Sequence, residues 1–165
     1  MEKFKGKIWI LGDDIDTDII IPTEYLALNT VEEMKKYAFS PLRPELASKI
    51  EAGDIIVAGK NFGCGSSREQ APEVLKSLGI KCVIAKSFAR IFFRNSINNG
   101  LLLIENEEFP DDCLEGTMVE VELNHNIIYR DKEYKIQPLP DNLMKIISEG
   151  GLVESMKKRN FEQVI

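Results

Sequence analysis

Histidine and cysteine, the side chains that most often hold transition metals, are scarce in this sequence. Among 165 residues there are one histidine, His125, and three cysteines, Cys64, Cys82 and Cys113. The cysteines are odd in number, far apart and without a Cys-x-x-Cys pair, which argues against a disulfide framework and against a zinc or internal iron–sulfur site. His125 lies in a short polar turn and is interpreted as a surface residue. We expect this chain to bind no metal.

Long apolar runs and an excess of positive charge are also missing. No stretch of 18 or more apolar residues occurs, and the first residues do not form an apolar signal segment. The formal net charge of −6 leaves no basic footprint for nucleic acid or for an anionic membrane surface. We therefore expect a cytoplasmic protein that binds neither nucleic acid nor membrane.

The sequence does contain apolar strand-like runs that alternate with amphipathic segments. A chain of 165 residues is expected to form one domain, residues 1–165, and to bury about 70% of its unfolded surface. Strand-like runs at 54–58, 81–85 and 101–104 are separated by helical patterns at 67–78 and 89–98, which predicts crossover units in a parallel or mixed sheet. Further elements are predicted around this unit: a strand at 4–11, helices at 30–38, 45–50 and 142–149, an antiparallel meander at 117–136 and a helical tail at 152–165.

A glycine-rich stretch after the run at 54–58 is a candidate anion-binding loop. Gly59, Gly63 and Gly65 allow positive φ and let a ligand approach the main chain closely. Ser66 and Ser67 are predicted at the N-terminus of the following helix, where free N–H groups and the helix dipole favour a carboxylate, a phosphate or a developing oxyanion.

Charged neighbours extend this loop, and a purely structural interpretation stays open. Arg68 adds a permanent cation that can bind a carboxylate through two donors. In the alternative, Ser66 or Ser67 only caps the helix and Glu69 completes a capping box. The loop lacks the Gly-Lys-Ser/Thr ending of a Walker motif and the frame of a Gly-x-Ser-x-Gly elbow.

An acid-rich segment precedes the loop along the chain. Residues 12–18 contain four aspartates, Asp13, Asp14, Asp16 and Asp18. The spacing of the last three is similar to that of a calcium loop, but the glycine and the distant glutamate of an EF-hand are absent. A turn in which aspartates accept hydrogen bonds from the main chain is the simpler interpretation.

Three motifs together resemble a known family. Residues 61–69, Asn-Phe-Gly-Cys-Gly-Ser-Ser-Arg-Glu, and residues 86–95, Lys-Ser-Phe-Ala-Arg-Ile-Phe-Phe-Arg-Asn, resemble the swivelling domain of the aconitase superfamily. Residues 12–22 are similar to the opening motif of its free-standing form, the 3-isopropylmalate dehydratase small-subunit family. The motifs follow the family order. The resemblance implies an α/β fold: a single swivelling β/β/α domain of the aconitase C-terminal type, with a mixed sheet and flanking helices.

The resemblance also implies roles for individual residues. Ser66 is the catalytic base, acting as an alkoxide, and Arg68 binds a substrate carboxylate. Ser67, Asp18 and Thr17 are expected to contact or line the substrate site. No metal ligand is assigned to this chain, and the family's four-iron four-sulfur cluster is expected in a separate large subunit.

The family's specificity loop corresponds to residues 23–44, which are flanked by prolines and expected to be mobile. Its first part contains Tyr25, Leu26, Ala27 and Leu28, and it is apolar. Homoaconitase-like relatives tend to have an arginine where this chain has Ala27, so the loop suits an isopropyl or methyl group.

Two positions depart from the family pattern. Gln70 stands where relatives often have histidine, and no match is found for the extra substrate-binding arginine that single-chain aconitases place near the opening motif.

The resemblance implies a hydro-lyase of leucine biosynthesis that interconverts 2-isopropylmalate and 3-isopropylmalate by dehydration and rehydration, active only with a large subunit. The alternatives are a small subunit of a homoaconitase or of a methylmalate/citramalate-type hydro-lyase and, in another class, a non-catalytic carboxylate-binding domain.

Overall fold

The fold is organised by one seven-stranded mixed sheet. A computed structural model describes residues 2–164, with side chains to residue 159. The strands are β1 (Lys3–Ile10), β2 (Ile55–Ala58), β3 (Cys82–Ala85), β4 (Leu102–Glu105), β5 (Met118–Glu122), β6 (Asn126–Tyr129) and β7 (Lys132–Lys135). Their order in the sheet is β4-β3-β2-β1-β5-β6-β7.

Helices connect and flank these strands. They are α1 (Thr17–Ile20), α2 (Val31–Met34), α3 (Leu46–Lys49), α4 (Gln70–Ser77), α5 (Arg90–Asn98), α6 (Phe109–Asp112), α7 (Asp141–Ser148) and α8 (Leu152–Val164). Short 3₁₀ turns cover Thr23–Ala27 and Lys35–Tyr37. None of the helices described between residues 2 and 164 has both the length and the apolar character needed to cross a membrane.

β1 joins two differently built halves of the sheet. Its last residues, Ile8–Ile10, pair in parallel with β2, and β2, β3 and β4 continue in parallel. Its earlier residues, Lys3–Lys7, pair antiparallel with β5, which leads into the β5-β6-β7 meander. The parallel half therefore contains the crossover helices α4 and α5, and its strands all end at the same edge.

The core lies on both faces of the parallel half. Ile56 and Ala58 of β2 face the cluster that α1 to α5 cover, whereas Ile55 and Val57 face the cluster covered by α6 and the meander. All four side chains are buried, which is why β2 appears in the sequence as an uninterrupted apolar run. The predicted mixed sheet with flanking helices is confirmed.

Several boundaries differ from the predictions. The predicted helix at 45–50 is reduced to the single turn of α3. The helices α1 and α6 were not predicted, because a four-residue element is too short to show a period of 3.6 residues. The predicted tail forms α8, whose last predicted residue, Ile165, lies outside the described residues.

Candidate active site

Three loops meet at the edge where the parallel strands end. The main-chain N–H of Gly59 donates to the oxygen of Gly12 over 3.1 Å, and that of Lys86 donates to the oxygen of Gly59 over 3.0 Å. The residues that follow β1, β2 and β3 are therefore held side by side. This edge is where open α/β sheets generally bind ligands, and it brings together the three motifs noted in the sequence.

The acid-rich segment lies along the glycine-rich loop and is bonded to it. The N–H of Gly63 donates to Ile15 O over 2.7 Å, and the N–H of Thr17 donates to Cys64 O over 2.9 Å. The Thr17 hydroxyl donates to Ser66 O over 2.7 Å. Thr17 is only 2% exposed, so its hydroxyl fixes the peptide that carries Ser66.

Three of the four aspartates accept hydrogen bonds only from the main chain or from a neighbouring side-chain amide. Asp13 accepts from the N–H of Lys60 over 2.7 Å, and Asp14 accepts from the Asn61 side-chain amide over 3.1 Å. Asp16 caps α1. This is the turn interpretation given above, and it leaves Asp18 as the aspartate with a different environment.

Glycine is required at one position of the loop by its contact with α5. Gly63 has φ +85°, and a Cβ there would overlap the ring of Phe92. That ring packs edge-on against Phe62, with centroids 5.5 Å apart. The loop is thus pressed onto α5, which brings the serines that follow it close to the first turn of that helix.

Ser66 and Ser67 are exposed, and neither caps α4. That helix begins at Gln70, and its N-cap, Glu69, makes no side-chain capping bond. The prediction that the serines sit at the start of this helix was wrong, and so was the capping alternative. The physical reason is Pro72: a helix that included Arg68 would bring the proline ring against the Arg68 carbonyl, four residues earlier.

The guanidinium of Arg68 is held by three acceptors on residues 18–23, at the end of the acid-rich segment and just beyond it. Its Nη1 donates to Asp18 Oδ1 over 3.1 Å and to Ile21 O over 3.0 Å, and its Nη2 donates to Thr23 Oγ1 over 2.8 Å. The side chain is 15% exposed. Arginine has five N–H donors, so the N–H on Nε and one on Nη2 are left, and these adjacent donors suit a carboxylate.

Asp18 accepts several hydrogen bonds at this point. The Thr23 hydroxyl donates to its Oδ1 over 2.9 Å, and the Thr23 N–H donates to the same oxygen over 3.2 Å. The bond from the Thr23 hydroxyl, then that from Arg68, then that from the Thr23 N–H hold the pKa of the Asp18 carboxyl below its ordinary value. Asp18 therefore stays ionised and balances the charge of Arg68.

A cavity of about 220 Å³ opens beside the serines. It is lined by residues of all three motifs: Thr17, Gly63, Gly65, Ser66, Ser67, Arg68, Ala89, Arg90, Ile91, Phe92 and Asn95. Ala89, Arg90 and Ile91 form the start of α5, so the helix N-terminus at this cavity is that of α5 and not the predicted one. The main-chain N–H groups of Ser66 and Ser67 find no main-chain acceptor within residues 2–164.

Two residues of the site were not singled out in the sequence. Asn95 lines the cavity, and its side-chain amide donates to Ser67 Oγ over 3.4 Å. Thr23 binds both Arg68 and Asp18. Asn95 is the last residue of the motif at 86–95, and Thr23 directly follows the opening motif, but neither position has a sequence pattern that indicates these contacts.

The structure brings together only some of the predicted site residues. Thr17, Ser66, Ser67 and Arg68 line the cavity, and Asp18 is joined to it through Arg68. The segment 25–28 does not contribute to the lining. In that segment Tyr25, Leu26 and Leu28 pack against the core and Ala27 is exposed, while the Tyr25 ring stacks on Tyr37 at 3.9 Å between centroids.

The donor groups of the described residues do not suit an iron–sulfur cluster or another metal. Between residues 2 and 164, no group of three or more His, Cys, Asp or Glu side chains lies close enough to hold an ion. Cys82 and Cys113 are buried, and burial raises the pKa of both thiols, that of Cys113 to about 11. Burial also raises the pKa of Cys64. Metal ligation needs thiolates, which these environments disfavour.

Comparisons with known proteins agree with the fold and the motifs. The family model of the aconitase C-terminal domain matches residues 17–109. The 3-isopropylmalate dehydratase small subunit of Lachnospira eligens is 72% identical over 159 residues, which are 96% of this chain and 97% of that protein. The 3-isopropylmalate dehydratase small subunit 1 of Archaeoglobus fulgidus is 53% identical over 155 residues, 92% of this chain and 96% of that protein.

A solved structure gives the same result in three dimensions. The crystal structure of a 3-isopropylmalate dehydratase from Methanocaldococcus jannaschii matches with a TM-score of 0.93 and 42% sequence identity, and it covers 99% of this chain and 98% of that chain. The predicted fold class is confirmed by this match. The chain therefore belongs to the aconitase C-terminal domain family, and within it to the small subunits of 3-isopropylmalate dehydratase.

Proposed function

We propose that this chain, joined to a large subunit, catalyses the interconversion of 2-isopropylmalate and 3-isopropylmalate by dehydration and rehydration in leucine biosynthesis. The observation that carries the proposal is that Ser66 and Arg68 line one cavity of about 220 Å³. A hydroxyl that can act as base and a guanidinium that can bind a carboxylate are thus within reach of one small hydroxy diacid.

Ser66 is the base in this proposal. Dehydration removes a weakly acidic C–H proton beside a carboxylate while hydroxide leaves the neighbouring carbon, and the proton must go to a positioned group. A serine hydroxyl serves only as its anion, which needs preorganised stabilisation. In this proposal the stabilisation comes from groups that line the same cavity: the main-chain N–H of Ser67, the start of α5 and the cation of Arg68.

Arg68 binds one substrate carboxylate through the donors that its internal contacts leave free. Asp18 and Thr23 hold the opposite side of the guanidinium, so its plane is set before the substrate arrives. Ser67 contacts the substrate as a hydroxyl donor, since Asn95 donates to its oxygen. The Thr17 hydroxyl donates to the main-chain oxygen of Ser66 and so orients the Ser66 peptide.

The large subunit completes the enzyme. We assign to it the four-iron four-sulfur cluster that the family implies, since the described residues of this chain offer no ligand set for it. We further propose that the assembled enzyme works in the cytoplasm and that residues 23–44 form the mobile specificity loop. The apolar character of Tyr25–Leu28 favours isopropylmalate over homoaconitate, and a methyl-substituted malate remains the alternative substrate.

The test is anaerobic reconstitution with a cluster-loaded large subunit from the same source. We expect the unsaturated diacid to form from 3-isopropylmalate in the mixture and not with either subunit alone. Turnover by this chain alone would contradict the two-subunit proposal. Turnover of homoaconitate but not isopropylmalate would reassign the substrate, and failure to form a complex would favour the carboxylate-binding module.

Replacing Arg68 by lysine is expected to raise KM for isopropylmalate by about 10- to 100-fold and to lower kcat less. Lysine has three donors at one point, which the three acceptors around Arg68 already use. Steady-state kinetics of the reconstituted enzyme measures both constants. Arg94→Lys is the control, because Arg94 is exposed and does not line the cavity; an equal change in both variants would remove Arg68 from substrate binding.

A further inference from the structure

We propose that Thr23 couples the carboxylate-binding Arg68 to the specificity loop and thereby helps to set which substrate side chain the enzyme accepts. The inference rests on the proposed function and deepens it. Thr23 has no assigned role, and the hydroxyl of this residue is the shared partner of the two charged groups at the base of the loop. It acts through Arg68 and Asp18, so it is a positioning residue.

The contacts form a closed ring of three side chains. Thr23 Oγ1 accepts from Arg68 Nη2 over 2.8 Å and donates to Asp18 Oδ1 over 2.9 Å. Arg68 Nη1 closes the ring on the same oxygen over 3.1 Å. The hydroxyl therefore uses its hydrogen on the carboxylate and a lone pair on the guanidinium, an arrangement that only serine or threonine provides here.

The ring lies where the specificity loop begins. Thr23 follows Pro22 and is the first residue of the 3₁₀ turn Thr23–Ala27. Its own N–H also donates to Asp18 Oδ1 over 3.2 Å. The five-residue turn is held by bonds from Tyr25 N–H to Pro22 O over 3.0 Å and from Leu28 N–H to Tyr25 O over 3.1 Å, so the position of Thr23 helps to set the path of Tyr25 to Leu28.

Other anchors hold the loop farther along the chain, and they do not involve a proposed substrate ligand. Ser77 Oγ of α4 donates to Glu32 over 2.7 Å, and Arg43 pairs with Glu115 near the end of the loop. Thr23 differs from these because its partner is the guanidinium that binds substrate. A carboxylate that binds the free donors of Arg68 is thus linked to the loop directly through the Thr23 hydroxyl, and indirectly through Asp18, which the Thr23 N–H also contacts.

The coupling makes a specific kinetic prediction. In the reconstituted enzyme, Thr23→Val is expected to raise KM for isopropylmalate and to reduce the ratio of kcat/KM values for isopropylmalate and methylmalate by about tenfold, the effect of losing hydrogen bonds to charged groups. Thr23→Ser keeps the hydroxyl and should stay within about threefold of the parent ratio. Ser77→Ala, which removes a hydroxyl anchor away from Arg68, should leave the ratio unchanged. If Thr23→Val raises KM equally for both substrates, Thr23 only supports Arg68, and the coupling is refuted.

A second measurement does not depend on turnover. Amide hydrogen exchange of this chain alone should be faster at residues 24–28 in Thr23→Val than in the parent chain or in Ser77→Ala. Unchanged exchange in Thr23→Val would overturn the anchor. If the parent enzyme, in a confirmed complex, turns over neither malate, the proposed function fails, whereas the exchange result still decides whether Thr23 holds the loop.

Discussion

Replacement of Ser66 by alanine is expected to lower kcat of the reconstituted enzyme by about 10²- to 10⁴-fold, the usual contribution of a positioned base. Folding and assembly should be unaffected, because Ser66 is exposed and its bond to Thr17 uses the main-chain oxygen. Rates of formation of the unsaturated diacid, with KM determined separately, measure the effect. A loss in kcat with little change in KM is the signature of a group that acts on the transition state.

The neighbouring serine provides the matched control. Ser67→Ala removes a hydroxyl from the same exposed loop and the same cavity, but only its contact with Asn95 and the substrate is lost. We expect a smaller effect, expressed mainly in KM. Near-normal turnover in Ser66→Ala would exclude Ser66 as the base, and a reversed order of the two serines would assign that role to Ser67.

Replacement of Gly63 by alanine is expected to destabilise the protein by about 2–5 kcal/mol, the sum of a left-handed φ and of overpacking. The backbone there has φ +85°, and the new Cβ would overlap the Phe92 ring, which packs against Phe62. The loop can relieve the overlap only by moving off α5, which would displace Ser66. Chemical denaturation followed by circular dichroism measures the stability loss.

Two other glycines allow the cost of backbone strain to be measured separately from the cost of the overlap with Phe92. Gly116 has φ +87° and would place a Cβ in open space, and Gly65, at φ +91°, has its nearest neighbour, the Asp16 Cβ, at 3.4 Å. Alanine at Gly116 should cost only about 1–2 kcal/mol. If alanine at Gly63 costs no more than at Gly116, the packing of this loop on α5 is not as described. Replacing Gly65 by alanine should lower the free energy of unfolding by about as much as replacing Gly116 does, and it should also reduce turnover.

The parallel half of the sheet was predictable because its strands are buried on both faces. Four consecutive apolar residues such as Ile55–Ala58 predict a buried strand when a glycine and an amphipathic helical pattern follow them. The predicted helical pattern at 67–78 ends just before Gly79, whose φ of +90° is a conformation that glycine favours. These features depend on neighbours within a few residues, which a single sequence displays.

At the start of α4, a capping pattern and the position of a proline predict different first residues. Ser66 and Glu69 fit the spacing of a capping box, yet Pro72 forbids a helix that contains Arg68. Proline is compatible only with the first turn of a helix, and α4 accordingly begins at Gln70, two residues before Pro72. The serines then belong to the loop, and the helix N-terminus at the cavity is that of α5.

The contacts within the site could not be predicted from the sequence alone. Thr23 and Arg68 are separated by 45 residues, and no pattern in either segment indicates the pairing. The proposed roles of Ser66 and Arg68 rest on the resemblance to the aconitase family, while the structure adds that Thr17 bonds to the Ser66 peptide, Thr23 to Arg68 and Asn95 to Ser67. Such long-range partners depend on how the loops lie across the sheet edge.

The position of β1 between the two halves of the sheet affects the growing chain. β1 finds its parallel partner in β2, but its other edge stays open until β5 has been synthesised, and open edges invite pairing with other chains. Lys3, Lys5 and Lys7 lie along that edge, where like charges repel the same strand of a second nascent chain. In the folded protein, Lys3 and Lys5 lie opposite Glu122 and Glu120 of β5. The lysines that disfavour aggregation of the nascent chain therefore face opposite charges once β5 has paired.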